Sequence, residues 1–242
     1  MIAETLDRER LSLANKSTCQ RNLYRSMHNS HLGYMHRNQG VAVMCDWLHL
    51  LKDKNNSIHN PWTDTPISII EVGCGNGMLC DLLGRMSFDV TGIDIFDGHM
   101  YDRTRYKFLE HDMTVTPYPY EDNQFDYCVS FDVLEHLYEK NIDATLSEMA
   151  RISRNMIIKV ASSGTPPLHL TVKSPGWWLE KLIKNCPDFS WSLVRNYERV
   201  GVRDGDRVRQ QPVNSEIRPL PYDGIINYAP MFYGKRGVIN ED

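Results

Sequence analysis

A chain of 242 residues, 41% hydrophobic and 24% charged, has the balance of an ordinary globular protein and can bury one sizeable core. Its 27 Lys and Arg against 31 Asp and Glu give a net charge of −4, so no global positive field gathers nucleic acid or an anionic membrane. No apolar run approaches the roughly 20 residues of a membrane span. The first 16 residues alternate acids and bases around isolated leucines, unlike a secretory or transit peptide, and the expected placement is cytoplasmic. Six cysteines without a C-x-x-C pair read as reduced, mostly buried thiols. One domain over 1–242 is expected.

In chain order, 11–23 is weakly periodic and 41–51 (VAVMCDWLHLL) is strongly apolar behind Gly40, so both read as helices of an N-terminal cap over 1–62. The Asn-, Pro- and Asp-rich stretch 52–66 is a loop. From 67 the pattern changes. Short apolar runs at 67–72, 90–95, 106–110, 125–131 and 155–160 alternate with helix-like segments such as 78–86, the signature of βαβ units and a parallel sheet. After 162 the alternation fades. Ser174 and Pro175 start a helix over 177–183 as N-cap and first-turn proline. The runs 190–200 and 225–233 then read as two strands joined by a polar loop, 203–224, forming an antiparallel edge hairpin.

The chemistry concentrates at 71–77, EVGCGNG, where the first strand run ends and a helix begins. This is where a doubly wound sheet binds a nucleotide-like ligand, and glycine lets the backbone turn and approach it closely. A dinucleotide loop needs a third glycine at 78, and the residue there is Met78. Glu71 would also repel a pyrophosphate. The pattern E-x-G-x-G-x-G therefore suits a ligand with a cationic amino-acid part. Asp94, at the tip of the second strand run, can accept both hydroxyls of a ribose. Asp112 follows the third run in the same way and can accept from a ring amino group, with Met113 packed beside the ring. Each acid alone reads equally well as a loop or capping residue, but three at successive strand ends favour a ligand site.

These segments, together with 118–137 (YPYEDNQFDYCVSFDVLEHL), resemble in order the motifs of the class I S-adenosylmethionine-dependent methyltransferases, notably the L-E-H-L branch acting on small molecules and glycans. The resemblance covers about 67–161. It implies an α/β, Rossmann-like, doubly wound sheet of seven strands, mostly parallel with an antiparallel last strand. It further implies S-adenosylmethionine as cofactor, held by Glu71, Gly73, Cys74, Gly75, Gly77, Asp94, Asp112 and Met113, with Phe131 flanking the reacting centre. Residues 67–161 would then be the cofactor core, and 162–242 the acceptor side.

The acceptor is less legible. No Asn-Pro-Pro or Asp-Pro-Pro aromatic stretch follows the fourth strand run, and no Pro-Cys dipeptide occurs, so the pockets for base-amine and cytosine C5 methylation are missing. The expected acceptor is an oxygen, less readily a nitrogen, of a small molecule or saccharide rather than nucleic acid. His136 and His169 are candidate general bases, because an imidazole titrates near neutrality. Asp132, Glu135, His136 and His169 also resemble the E-x-x-E-H metal site of ubiquinone-pathway O-methyltransferases and small-RNA 2′-O-methyltransferases, with Asp in place of the first Glu. The metal-free reading is preferred. The rivals are a metal-assisted RNA-end or nucleotide methyltransferase and a cofactor-binding partner subunit without catalysis. Trp177 and Trp178 are candidates to roof the acceptor, Tyr24, Tyr34 and Met35 to form a lid. The basic stretch Arg195, Arg199, Arg203, Arg207 and Arg209 reads as solvated surface, and His28, His31 and His36 as a polar loop.

Overall fold

The computed structural model describes residues 39–52, 66–98, 100–161, 169–196, 202–204, 207–209, 218–219 and 230–237. The helix expected at 11–23, the three early histidines, and the lid candidates Tyr24, Tyr34 and Met35 lie outside them.

Five strands, β1 (Ser68–Val72), β2 (Asp89–Asp94), β3 (Lys107–Glu110), β4 (Phe125–Phe131) and β5 (Ser153–Lys159), run parallel. With β6 (Phe189–Asn196), β9 (Arg218–Pro219) and β10 (Pro230–Arg236) they form one sheet in the order β3-β2-β1-β4-β5-β10-β6-β9. The winding reverses between β1 and β4, so a crevice opens outside their carboxyl ends. Val72, Asp94, Glu110, Phe131 and Lys159 all end on that edge, which is why the carboxylates of interest converge there.

The faces of the sheet are covered because the strand side chains alternate. Ile70 and Val72 join Leu146 and Met149 of α4 (Glu139–Arg151) and Trp178 and Leu182 of α5 (Pro175–Asn185) in one core. Ile69 turns to the other face, with Leu79 and Leu83 of α3 (Met78–Arg85) and Trp47 of the cap. The helix start expected at Ser174 is present: its side chain accepts the Trp177 amide at 3.3 Å, with Pro175 in the first turn. Asp143 accepts from Lys181 at 2.6 Å and Lys184 at 2.9 Å, holding α5 against α4.

Two expectations need correction. The single helix expected over 41–51 is instead α1 (Gln39–Ala42), α2 (Met44–Trp47) and a 3-10 turn (Leu48–Leu50). Regular helix breaks at Val43 (φ −112°, ψ 13°) and Trp47 (φ −127°, ψ −20°), and the Trp47 indole N–H donates to the Gly40 carbonyl at 3.0 Å across the first break. Gly40 allows that packing, since a Cβ there would stand 2.6 Å from Leu79 and 2.7 Å from the Phe131 ring. The last strands form the expected antiparallel pair at this end of the sheet, with β10 lying between β5 and β6. The polar stretch between them is also not plain loop. It contains a small ladder of β7 (Val202–Asp204) and β8 (Arg207–Arg209), and β9, which adds an eighth strand by covering the unpaired outer edge of β6.

Candidate active site

After β1 the backbone passes through the left-handed region at Gly73 (φ 79°), Gly75 (φ 55°) and Gly77 (φ 79°), the last being the N-cap of α3. Only glycine adopts this freely. The amides of Gly73 and Cys74 donate to the Ile93 carbonyl at 2.8 and 3.1 Å, pinning the loop to the end of β2. Asp94 grips it from the same side: Oδ2 accepts the Gly75 amide at 2.8 Å and Oδ1 the Ile95 amide at 2.7 Å. Burial pushes the Asp94 carboxyl up to about 6, against the opposing pull of the Gly75, Ile95 and Phe96 amides.

The glycines have different jobs. A Cβ at Gly73 would come within 2.5 Å of both γ-carbons of Val133, so this position serves packing between the loop and the turn after β4. A Cβ at Gly75 would meet nothing within 4 Å among the described residues. That open space lies on the loop beside Asp94, where a ligand can approach the backbone. Glu71 and Cys74, by contrast, are buried beneath the loop, with Glu71 only 2% exposed. The Cys74 side chain points inward, so only its backbone can meet a ligand.

Asp112 is half-buried and its Oδ1 accepts from the amide and hydroxyl of Thr114 at 2.9 and 2.8 Å, which caps the turn. Met113 is packed in the core, and its carbonyl accepts from the Tyr118 hydroxyl at 2.8 Å. The Phe131 ring lies 5.1 Å from that of Trp47 and is 7% exposed, so it packs against the cap at the carboxyl end of β4. Trp178 is core, whereas Trp177 is half-buried with Lys173 and Lys181 each 5.2 Å from its ring.

Beyond β4 the four residues expected to act together are divided. Asp132 has a left-handed backbone (φ 53°) and its carboxylate is paired with Lys159, the buried last residue of β5. That pairing draws it out of the cluster. Glu135, His136 and His169 stay together, their donor atoms all within 4.8 Å of one another. The imidazoles meet edge to face with centroids 4.8 Å apart. Glu135 is fully buried; its Oε1 accepts the Ala161 amide at 3.1 Å, while Oε2 has no hydrogen-bond partner among the described residues. Its backbone carbonyl accepts the amides of Leu170 and Thr171 at 2.8 and 2.9 Å, which brings His169 alongside. Burial, reinforced by the Asp132 charge, pushes the Glu135 carboxyl well above the usual range.

Sequence reasoning missed Lys159 and Val133. The signal for Lys159 was a lone charge closing an otherwise apolar strand run. Val133 gave none, since its role depends on a glycine sixty residues away that turns back toward it.

Comparison with known proteins agrees with this geometry. Residues 70–156 match the family described as a methyltransferase domain. Over 164 residues the chain is 22% identical to a ubiquinone biosynthesis O-methyltransferase of Maricaulis maris (strain MCS10), covering 64% of each protein, under two thirds of that relative's length. In fold it is similar to the magnesium protoporphyrin IX methyltransferase of Synechocystis PCC 6803 with bound S-adenosylmethionine, with a TM-score of 0.58 and 16% identity over 91% of this chain and 97% of that one. It is similar also to the 1,6-didemethyltoxoflavin-N1-methyltransferase of Burkholderia thailandensis, with a TM-score of 0.56 and 13% identity over 93% of this chain and 89% of that one. Among the described residues no helix is long and apolar enough to cross a membrane.

Proposed function

Since the chain carries a class I S-adenosylmethionine-dependent methyltransferase domain, we propose that it methylates a hydroxyl oxygen of a small molecule or saccharide, with His136 and His169 as the bases. The observation that carries this reading is the pair of imidazoles packed beside a buried carboxylate on the edge that holds the glycine loop. S-adenosylmethionine supplies an electrophilic methyl group on a sulfonium. The chain's own part is mostly placement, because holding the acceptor oxygen about 3 to 3.5 Å from that carbon in line supplies much of the rate. One imidazole takes the hydroxyl proton on a ring nitrogen as the oxygen attacks, and the Glu135 carboxyl beside it, kept largely protonated by burial, helps to fix the position of the rings. The open face of Gly75 and the carboxylates of Glu71, Asp94 and Asp112 suit a cationic, ribose-bearing ligand and disfavour a pyrophosphate. The 1–242 span works as one catalytic unit with cap, cofactor core and acceptor side.

Calorimetric titration tests the cofactor half: S-adenosylhomocysteine should bind, and tighter binding of NAD would sink the assignment. A panel of hydroxyl and amine acceptors with tritiated cofactor tests the other half; turnover confined to amines would refute oxygen transfer.

The second reading is metal-assisted. Glu135, His136 and His169 could hold a divalent ion, and Glu135 Oε2, which has no hydrogen-bond partner among the described residues, is the observation that favours it. The ion would orient acceptor oxygens and lower their pKa. Asp132 would not contribute while Lys159 holds it.

Asp94 gives a prediction that does not depend on the acceptor. Its folded pKa of about 6 exceeds the ordinary 3.8, so the native state binds the proton more tightly. Its contribution to stability is therefore present below about 3.8 and falls away as pH rises toward 6. Ribose hydroxyls need the ionised acceptor, so cofactor affinity should rise over that same window. Asp94→Ala should weaken S-adenosylhomocysteine by about 1 to 3 kcal/mol at neutral pH and flatten the rise. Calorimetry between pH 5 and about 8 checks both; an unchanged affinity would place the ribose elsewhere.

A further inference from the structure

Beneath the glycine loop lie two thiols that the reaction does not use. Cys74 sits in the loop and Cys80 in the first turn of α3, and both are fully buried. Their sulfurs gather over Gly92 of β2: a Cβ at that position would stand 2.8 Å from Cys74 Sγ and 2.9 Å from Cys80 Sγ. The bare backbone of Gly92 is what leaves room for them. The Cys80 thiol donates to Glu71 Oε2 at 3.0 Å, within the same buried layer. Burial pushes both thiols up, Cys74 to about 11, so each keeps its proton at neutral pH and Cys80 remains a donor.

From this arrangement we infer that Cys80 is a positioning residue for cofactor binding, its S–H fixing the Glu71 carboxylate beneath the loop. The inference rests on the reading that Glu71 serves the methionine part of the cofactor. Glu71 and Ile69 share the face of β1 that packs against α3, so the acid leaves the strand toward the helix and not toward solvent. Its carboxylate must hold one rotamer there to lie under the loop when a cationic amino group arrives. A donor anchored on the first turn of α3, the helix the loop itself caps, ties that rotamer to the position of the loop. Alanine at 80 would keep the helix and remove the anchor. Serine would keep a donor.

The test uses the full chain and S-adenosylhomocysteine titrations of Cys80→Ala, Cys80→Ser, Glu71→Ala and the double variant Glu71→Ala/Cys80→Ala, each with its melting temperature. Cys80→Ala should weaken binding about two- to tenfold, the effect of one modest hydrogen bond, and Cys80→Ser should restore it. In the Glu71→Ala background Cys80→Ala should change nothing further, as expected when one residue acts through another. The infrared S–H stretch of Cys80 should move to higher frequency in Glu71→Ala, a shift that loss of packing alone does not produce. Parent-like binding by Cys80→Ala, equal losses with serine and alanine, or a loss that persists without Glu71 would each overturn the positioning role. Unchanged affinity in Glu71→Ala, with the infrared shift present, would instead remove Glu71 from the cofactor site. Should Cys80→Ala fail to fold, Cys80→Ser and the infrared shift still decide the question.

Discussion

Gly75→Val should abolish binding of S-adenosylmethionine and its demethylated product while the protein still unfolds cooperatively near the parent temperature. Two opposing effects decide this. Valine at φ 55° is strained, at a cost of about 1 to 3 kcal/mol, which a domain with ordinary stability of about 5 to 15 kcal/mol survives. The added Cβ meets nothing within 4 Å among the described residues, so no clash at that atom adds to the cost. The side chain fills instead the space a ligand would use against the loop, and its branched γ-carbons cannot withdraw. Gly73→Ala provides the contrast: its Cβ would collide with Val133 at 2.5 Å, so it should lower the melting temperature. Calorimetric titration and thermal circular dichroism separate the two outcomes. Retained affinity in Gly75→Val would mean that the cofactor does not lie against this loop.

His136→Ala or His169→Ala should lower kcat by roughly 10² to 10⁴, with cofactor affinity nearly intact. The imidazoles lie after β4 and after β5, whereas the glycine loop and Asp94 belong to β1 and β2, so their loss should not disturb the cofactor's seat. Glu135→Gln keeps the contact with the Ala161 amide and replaces a carboxyl that burial already holds largely neutral, so its effect should be smaller than that of either histidine variant. In the preferred mechanism EDTA does little. Activity that vanishes with EDTA and returns with Mg²⁺ or Mn²⁺ would promote the metal reading, and unchanged kcat in both histidine variants would end both.

The parallel core was legible because its strands are short apolar runs, each ending in a residue of special chemistry: Gly73 after β1, Asp94 after β2, Asp132 after β4. Backbone geometry at 73–77 was equally legible, since glycines at that spacing have few other reasons to occur after a strand. What failed did so at tertiary contacts. Phe131 was placed beside the reacting centre by the family resemblance, and its ring contact with the cap's Trp47 could not be read from the sequence. Asp132 was grouped with Glu135, His136 and His169 by resemblance to a metal site, and a resemblance says nothing of a lysine on the neighbouring strand. The insertion of β10 between β5 and β6 was hidden for the same reason. Two strand runs joined by a polar stretch signal antiparallel pairing but not which of them lies inside.

That insertion also orders events during folding. Met231 pairs with Lys159, the residue that holds Asp132, and Phe232 pairs with Ile158 and enters the core. Until 230–236 arrives, β5 presents an open edge, and the strand beneath the imidazoles has no neighbour on that side. Pairing across more than seventy residues carries a large loop-closure entropy and comes late. A growing chain could therefore form its cofactor loop from local βαβ contacts well before its reacting centre is rigid. Its exposed β5 edge during that interval is the segment most open to misassembly between chains.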